Sequence, residues 1–334
     1  MKYILNIQKL EPGDIILVGY NDEESRQIQE RTNSLYSHAM LYWYDSLIHA
    51  SSIVITENPS RLLFEKDENV CVLRLNDEYR QELRISHLID HARSFVGTLY
   101  DKEALDAMAE DKEFIPNQNR QMCAKFIAQC FESVCADLVD DYEKCSPQDL
   151  INTDVVHQIN DVLIEATPQD VDFANSRDVT YLQFGAIFSI INRLRKKFPE
   201  ADIMSLMQLE TFLESNPVHD GAIVEIMSKT DYFDLWHLER EYCPYLYDAE
   251  AYKDSCFDNK IKMAIDIIKG SERIIKEKMA MKDHYTELMR KIGKLEYYKK
   301  MYELQDNIIE NANKRIEVAR AYLAENRIVH IKYI

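Results

Sequence analysis

Glycine is scarce in this chain, at 7 of 334 residues. Neither GxGxxG nor GxxxxGK[ST] occurs, so a Gly-rich loop whose backbone cradles phosphate groups has almost nowhere to sit. Positive charge is also short. The 40 Lys and Arg against 58 Asp and Glu leave a formal net charge of -18, which repels phosphate backbones and anionic headgroups, so nucleic acid is not an expected partner. No apolar run reaches the roughly 18 to 20 residues of a membrane helix, so no integral membrane segment is expected. Met1 to Leu10 carries Lys2 and a broken apolar stretch before Glu11-Pro12-Gly13-Asp14, too short and polar for a signal peptide. The expected location is the cytoplasm, with non-classical export as an effector the alternative. The seven cysteines, Cys71, Cys123, Cys130, Cys135, Cys145, Cys243 and Cys256, form no CxxC pair and are odd in number, which argues against a disulfide framework or structural zinc. HExxH is absent. His87 and His91, or His237 with Glu239 and Glu241, gain no third ligand at a recognisable spacing, so neither metal nor cofactor is expected.

What is present is an ordinary globular composition, 46% hydrophobic and 29% charged, long enough for two domains. Residues 1–165 carry the extended signals. Asp14 to Val18, Ser37 to Tyr44, Leu47 to Thr56 and Val70 to Leu75 read as strands, the middle two forming a hairpin that turns at Asp45-Ser46. Helical spacing follows over Asp77 to Val96, stopped by Gly97, and over Gln121 to Val139, with Asn117 or Asn119 as the N-cap. Residues 166–334 read as helical. Pro199, Pro217 and Pro244 break the earlier part, and two long amphipathic stretches run from Asn259 to Arg327 with Gly270 and Gly293 as the break points. Their Met- and Tyr-rich stripe, Met279, Tyr285, Met289, Tyr298 and Tyr302, reads as an interface in a helical hairpin or coiled-coil arm, suited to homo-oligomer formation. The fold class is α+β with an all-α C-terminal region.

A thiol becomes a nucleophile when its thiolate is stabilised, and a helix start does this with unpaired N–H groups and a positive dipole end. Cys123 occupies the first turn of its helix, whereas Cys130 and Cys135 lie where that field has decayed and read as core. The base should be an imidazole on another element. His38 begins a strand whose alternate positions Met40, Tyr42 and Tyr44 share its face. His49 on the next strand falls on the same face and is available to fix the tautomer of His38, with Glu57 and Asn33 as its rivals. A tight turn at Asp45-Ser46 sets His49 opposite Tyr42, about 13 Å along the strand from His38, so a bulge or a wider turn is required.

Six segments in one order carry a resemblance. They are Pro12-Gly13-Asp14-Ile15-Ile16-Leu17, Tyr36-Ser37-His38-Ala39, Ile48-His49-Ala50, Val96-Gly97-Thr98-Leu99-Tyr100-Asp101, Met122-Cys123-Ala124-Lys125-Phe126-Ile127 and Ser146-Pro147-Gln148-Asp149-Leu150. Over roughly the first 150 residues the chain resembles the permuted NlpC-type, papain-like cysteine hydrolases of the YiiX-like branch, in which the His strands precede the Cys helix. The resemblance implies an antiparallel sheet packed on the Cys helix, with Cys123 as nucleophile, His38 as base and His49 as orienting residue. It sets Tyr100 near the substrate and the oxyanion, with Ser37 and Asp101 as neighbouring substrate-facing residues. Ala124 departs from the serine that many relatives carry, but its backbone N–H remains. Asp14 and Asp101 also read as turn caps.

Two readings follow. One is a cysteine hydrolase, an amidase, peptidase or acyl-transfer enzyme, that forms a thioester acyl-enzyme on a small-molecule, peptide, muropeptide or lipid acyl substrate. The other is a silent papain-like scaffold whose helical arm binds partners.

Overall fold

The computed structural model describes residues 1–44, 46–65, 68–82, 84–109, 112, 117, 119–255 and 259–326. Asp45 and Cys256 therefore lie outside the described residues. Two compact units result: Met1–Ser176 with Phe198–Leu209, and Arg177–Lys197 with Glu210–Ile334.

In the first unit, six antiparallel strands take the order β5-β4-β3-β2-β7-β8: β2 Ile15–Gly19, β3 His38–Trp43, β4 Ser46–Ala50, β5 Val54–Glu57, β7 Asn69–Leu75 and β8 Val156–Ile159. A smaller sheet has the order β6-β1-β9, from β1 Lys2–Leu5, β6 Phe64–Glu65 and β9 Leu163–Glu165. The helices of this unit include α1 Glu23–Thr32, α2 Asp77–Glu82, α3 Ile85–Ser94, α4 Lys102–Ala109, α5 Cys123–Glu132, α6 Pro147–Asn152 and α7 Pro168–Asn175.

Strands β2 and β3 are buried on both faces and read as continuous apolar runs for that reason. One face, through Ile15, Leu17, Ala39, Leu41, Ile48, Ala50 and Leu73, packs on α3 and on Ala124, Phe126 and Ile127 of α5. The other, through Ile16, Val18, Met40, Tyr42, Leu47 and Val72, packs on Leu5 of β1 and Phe64 of β6. The main sheet is thus sandwiched between the α5 layer and the small sheet.

At the entry to β2, Asp14 has no exposed surface, and Arg74 on β7 closes on it twice, Nε to Oδ1 at 2.8 Å and Nη2 to Oδ2 at 2.7 Å. The Glu11 N–H adds a bond to Asp14 Oδ2 at 2.7 Å, so the turn-capping expectation for Asp14 holds. Gly13 adopts φ +91°, a conformation open chiefly to glycine, at this turn.

The second unit contains α8 Val179–Lys197, the later part of α9 (Leu206–Ser215), α10 Asp220–Met227, α11 Leu235–Tyr242, α12 Ala249–Asp254, α13 Lys260–Lys291 and α14 Glu296–Glu325. Helix α13 runs through Gly270 without interruption, and the break falls at Gly293, whose φ is +121°. Helices α13 and α14 lie side by side, with Ala264 and Ile268 meeting Val318, Ala319 and Leu323. Asp220 accepts from the Glu296 and Tyr297 N–H groups at 2.7 and 2.9 Å and so caps α14 from outside that helix. No helix among the described residues is long and apolar enough to cross a membrane.

Candidate active site

The hairpin register brings the two imidazoles together. The pairs are Trp43 with Ser46, Tyr42 with Leu47 and Leu41 with Ile48, so the hairpin closes one residue earlier than a turn at Asp45-Ser46 would close it. Tyr44 takes φ +50° there, a conformation that a Tyr seldom adopts. The same register carries His49 to the level of Met40 instead of Tyr42, diagonal to His38 on the same face. His38 Nε2 and His49 Nδ1 are 2.7 Å apart, with the rings edge to face at 86°.

Beyond Leu41–Ile48 the β3–β4 ladder ends, and the start of α5 meets the sheet there. Helix α5 begins at Cys123 itself. Its N-cap is Met122, which supplies no capping side chain, so the expected caps Asn117 and Asn119 and the expected start at Gln121 are corrected. An uncapped start leaves first-turn N–H groups available to another acceptor. The Cys123 sulfur lies beside them, and the Cys123 and Ala124 N–H groups draw its pKa downward. The Ala39 N–H and the Tyr100 hydroxyl act in the same direction. The thiol lies 3.8 Å from the Ser37 carbonyl. The sulfur is therefore bracketed by the backbone on both sides of His38.

Strand alternation sets Ala39 and Leu41 on the α5 side, and His38 and His49 on the side of Met40 and Leu47. Thiol and imidazoles thus belong to opposite faces of the sheet, with the sulfur at the backbone of Ser37. In this resting arrangement no hydrogen bond joins Cys123 to His38, and His38 Nδ1 has no hydrogen-bond partner among the described residues. With Nε2 engaged by His49, Nδ1 is the nitrogen available to a thiol proton.

Burial decides the charge states. It pushes the Cys123 thiol up to about 11, against the downward pull of the Ala39, Ala124 and Cys123 N–H groups and Tyr100. Burial, then the neighbouring His49, holds His38 down to about 3. The expectation that the helix start keeps this sulfur ionised is corrected, because desolvation of the anion outweighs the dipole and its N–H groups. Both partners rest neutral at pH 7. Because the thiolate fraction then grows tenfold per pH unit below about 11, alkylation of Cys123 should accelerate about tenfold per unit from roughly pH 7 to pH 10. A rapid rate already level below about pH 8, in a pH series with peptide mapping, would contradict the neutral thiol.

The remaining candidates are also placed. Tyr100 is half-buried, and burial, ahead of its neighbours Cys123, Glu24 and Asp101, pushes its hydroxyl upward, so it remains a donor. Ser37 directs its hydroxyl to the Val18 carbonyl at 3.3 Å, and its own carbonyl faces the sulfur. Asp101 is buried and accepts the Ala104 N–H at 3.1 Å at the start of α4, a turn-capping engagement. Cys130 is a buried core residue, but Cys135 is exposed, with φ +61° just after α5, so its expected core placement is corrected. Sequence reasoning kept Glu57 only as a rival to His49. In the fold it stands beside His49, with Oε2 3.4 Å from Nε2. Among the described residues, no group of three or more His, Cys, Asp or Glu side chains is placed to hold a metal ion.

Residues 9–181 match the model of the permuted papain-like amidase enzymes, the YaeF/YiiX or C92 family, and the chain belongs to that family. A solved structure it resembles is described as metalloprotein yiiX from Escherichia coli O157:H7, at 18% identity and a TM-score of 0.34, covering 45% of this chain and 97% of that one. No curated protein matches.

Proposed function

We propose that this protein is a cysteine amidase working through a thioester on Cys123. The observation that carries the reading is the buried thiol at an uncapped helix start, bracketed by the Ser37 carbonyl and the Ala39 N–H on either side of His38. An amide carbonyl carbon enters at the ladder opening. The Cys123 sulfur attacks it as the thiol proton passes to His38 Nδ1, and a C–S bond forms. The N–H groups of Cys123 and Ala124 and the Tyr100 hydroxyl, released from the resting sulfur, receive the developing oxyanion. His38 then returns the proton to the departing amine as the C–N bond breaks. Water attacks the thioester with His38 again as base, yielding the carboxylic acid and the free thiol; an incoming amine gives acyl transfer instead.

A neutral thiol and a neutral imidazole make the proton transfer concerted with attack and leave no resting ion pair. His49 holds His38 in orientation through the 2.7 Å bond. The acyl donors that fit are amides of peptides or muropeptides and acyl groups of lipids. The test is capture of the acyl group on Cys123. Turnover by an enzyme in which this sulfur never carries acyl would overturn the reading.

A further inference from the structure

Two imidazoles that share one hydrogen bond hold a single proton between them, and its position fixes what each outer nitrogen can do. In one arrangement His38 Nε2–H donates to His49 Nδ1. His49 then carries its proton on Nε2, and His38 Nδ1 keeps a lone pair able to accept the thiol proton. In the other, His49 Nδ1–H donates to His38 Nε2. His38 then carries its proton on Nδ1 and cannot act as a base. The difference between a working and a silent site therefore lies at the far nitrogen, His49 Nε2.

That nitrogen is buried and has no aligned hydrogen-bond acceptor among the described residues. One carboxylate approaches it. Glu57 closes β5, opposite Leu47 on β4, and so shares the sheet face of His49. Its Oε2 lies 3.4 Å from His49 Nε2, while its side chain keeps 30% of its surface exposed. The field of this carboxylate also reaches Tyr20 at the end of β2, where it adds to burial in pushing that hydroxyl upward. A carboxylate beside Nε2 attracts a proton there and repels a lone pair, which selects the first arrangement.

We propose that Glu57 is a positioning residue which, through His49, sets the tautomer of His38 so that Nδ1 keeps the lone pair of a base. During proton transfer the same carboxylate opposes the positive charge that appears on the imidazole pair. The chain reads Glu57 carboxylate, His49 Nε2–H, His49 Nδ1, His38 Nε2–H, His38 Nδ1, Cys123 thiol. The kinetic part rests on the cysteine-amidase reading; the tautomer part does not.

The experiment separates the two. Imidazole ¹⁵N spectra of the full chain carrying Cys123→Ala report the tautomers whether or not the thiol is a nucleophile. Expected are a protonated Nε2 and an unprotonated Nδ1 for His49, and a mixed or reversed pattern once Glu57→Leu is added. With Cys123 restored, Glu57→Leu should lower kcat by about tenfold to a hundredfold with KM within about twofold, the loss of one carboxylate beside the developing imidazolium. Glu57→Asp, which keeps the charge, should recover most of that loss. Unchanged His49 resonances in Glu57→Leu overturn the proposal, as does full kcat in that variant with Cys123-dependent turnover. A tautomer change with turnover that persists in Cys123→Ala supports the Glu57–His49 assignment and overturns the nucleophile reading instead.

Discussion

Replacing His38 with Ala should lower kcat for amide turnover by about 10³-fold with little change in KM, because a positioned acid–base group contributes roughly 10² to 10⁴. The loss is not expected at the lower end of that range. The thiol rests neutral, pushed by burial to about 11, so little thiolate is present at pH 7 to act without a base. A papain-like site with a preformed ion pair would respond differently, since part of its thiolate survives the loss of the imidazole. His49→Ala should cost less than His38→Ala, because it removes an orienting partner and leaves the base. Steady-state kinetics on a small acyl-amide, with folding checked by circular dichroism, measures both. A loss below about tenfold in His38→Ala would remove the imidazole from the chemistry.

The largest expected effect on stability lies away from the sulfur. Arg74→Leu strips the two-pronged partner from Asp14, which has no exposed surface, and leaves a buried carboxylate that, among the described residues, keeps the Glu11 N–H as its hydrogen-bond donor. Breaking one side of a buried pair costs about 3–5 kcal/mol. Removing both sides, Asp14→Leu with Arg74→Leu, should cost clearly less, because no charge is then stranded. Urea unfolding in a Trp236→Phe background leaves Trp43 as the sole tryptophan and reports on the first unit. A single Arg74→Leu loss under about 1 kcal/mol, or a double variant worse than the single, would refute this account. Since Asp14 anchors the entry to β2, the strand paired with His38, the same change should loosen the hairpin that carries both imidazoles.

These expectations show which parts of the molecule a sequence makes legible. β-branched runs such as Ile15-Ile16-Leu17-Val18 announce a buried strand because both faces of β2 meet a core. The helix at Cys123 is visible from Phe126, Ile127 and Cys130, but its start is not. Asn117 and Asn119 look like caps because cap preference is local, whereas this start is uncapped and its N–H groups serve the sulfur. The hairpin register was displaced by two residues because Asp45-Ser46 has the polarity of a turn, while the observed hairpin relies on Tyr44 at positive φ. That displacement is why the 13 Å separation arose as an expectation and a 2.7 Å contact is found. Gly270 and Gly293 are indistinguishable as letters; only Gly293 adopts φ +121°. The thiol's charge state is illegible in the sequence for another reason. A helix dipole can be inferred from position, but burial depends on the whole core around α5.

The most direct test of the central claim is a rapid-quench single-turnover reaction with an acyl-amide carrying a heavy label in its acyl group, followed by intact-mass and peptide mapping. The account predicts a transient, hydroxylamine-labile acyl adduct on the peptide containing Cys123, formed at the rate of amine release in wild type and slowed about 10³-fold in His38→Ala. Amine release at the wild-type rate with Cys123 unmodified throughout, or with the label on exposed Cys135, would contradict it.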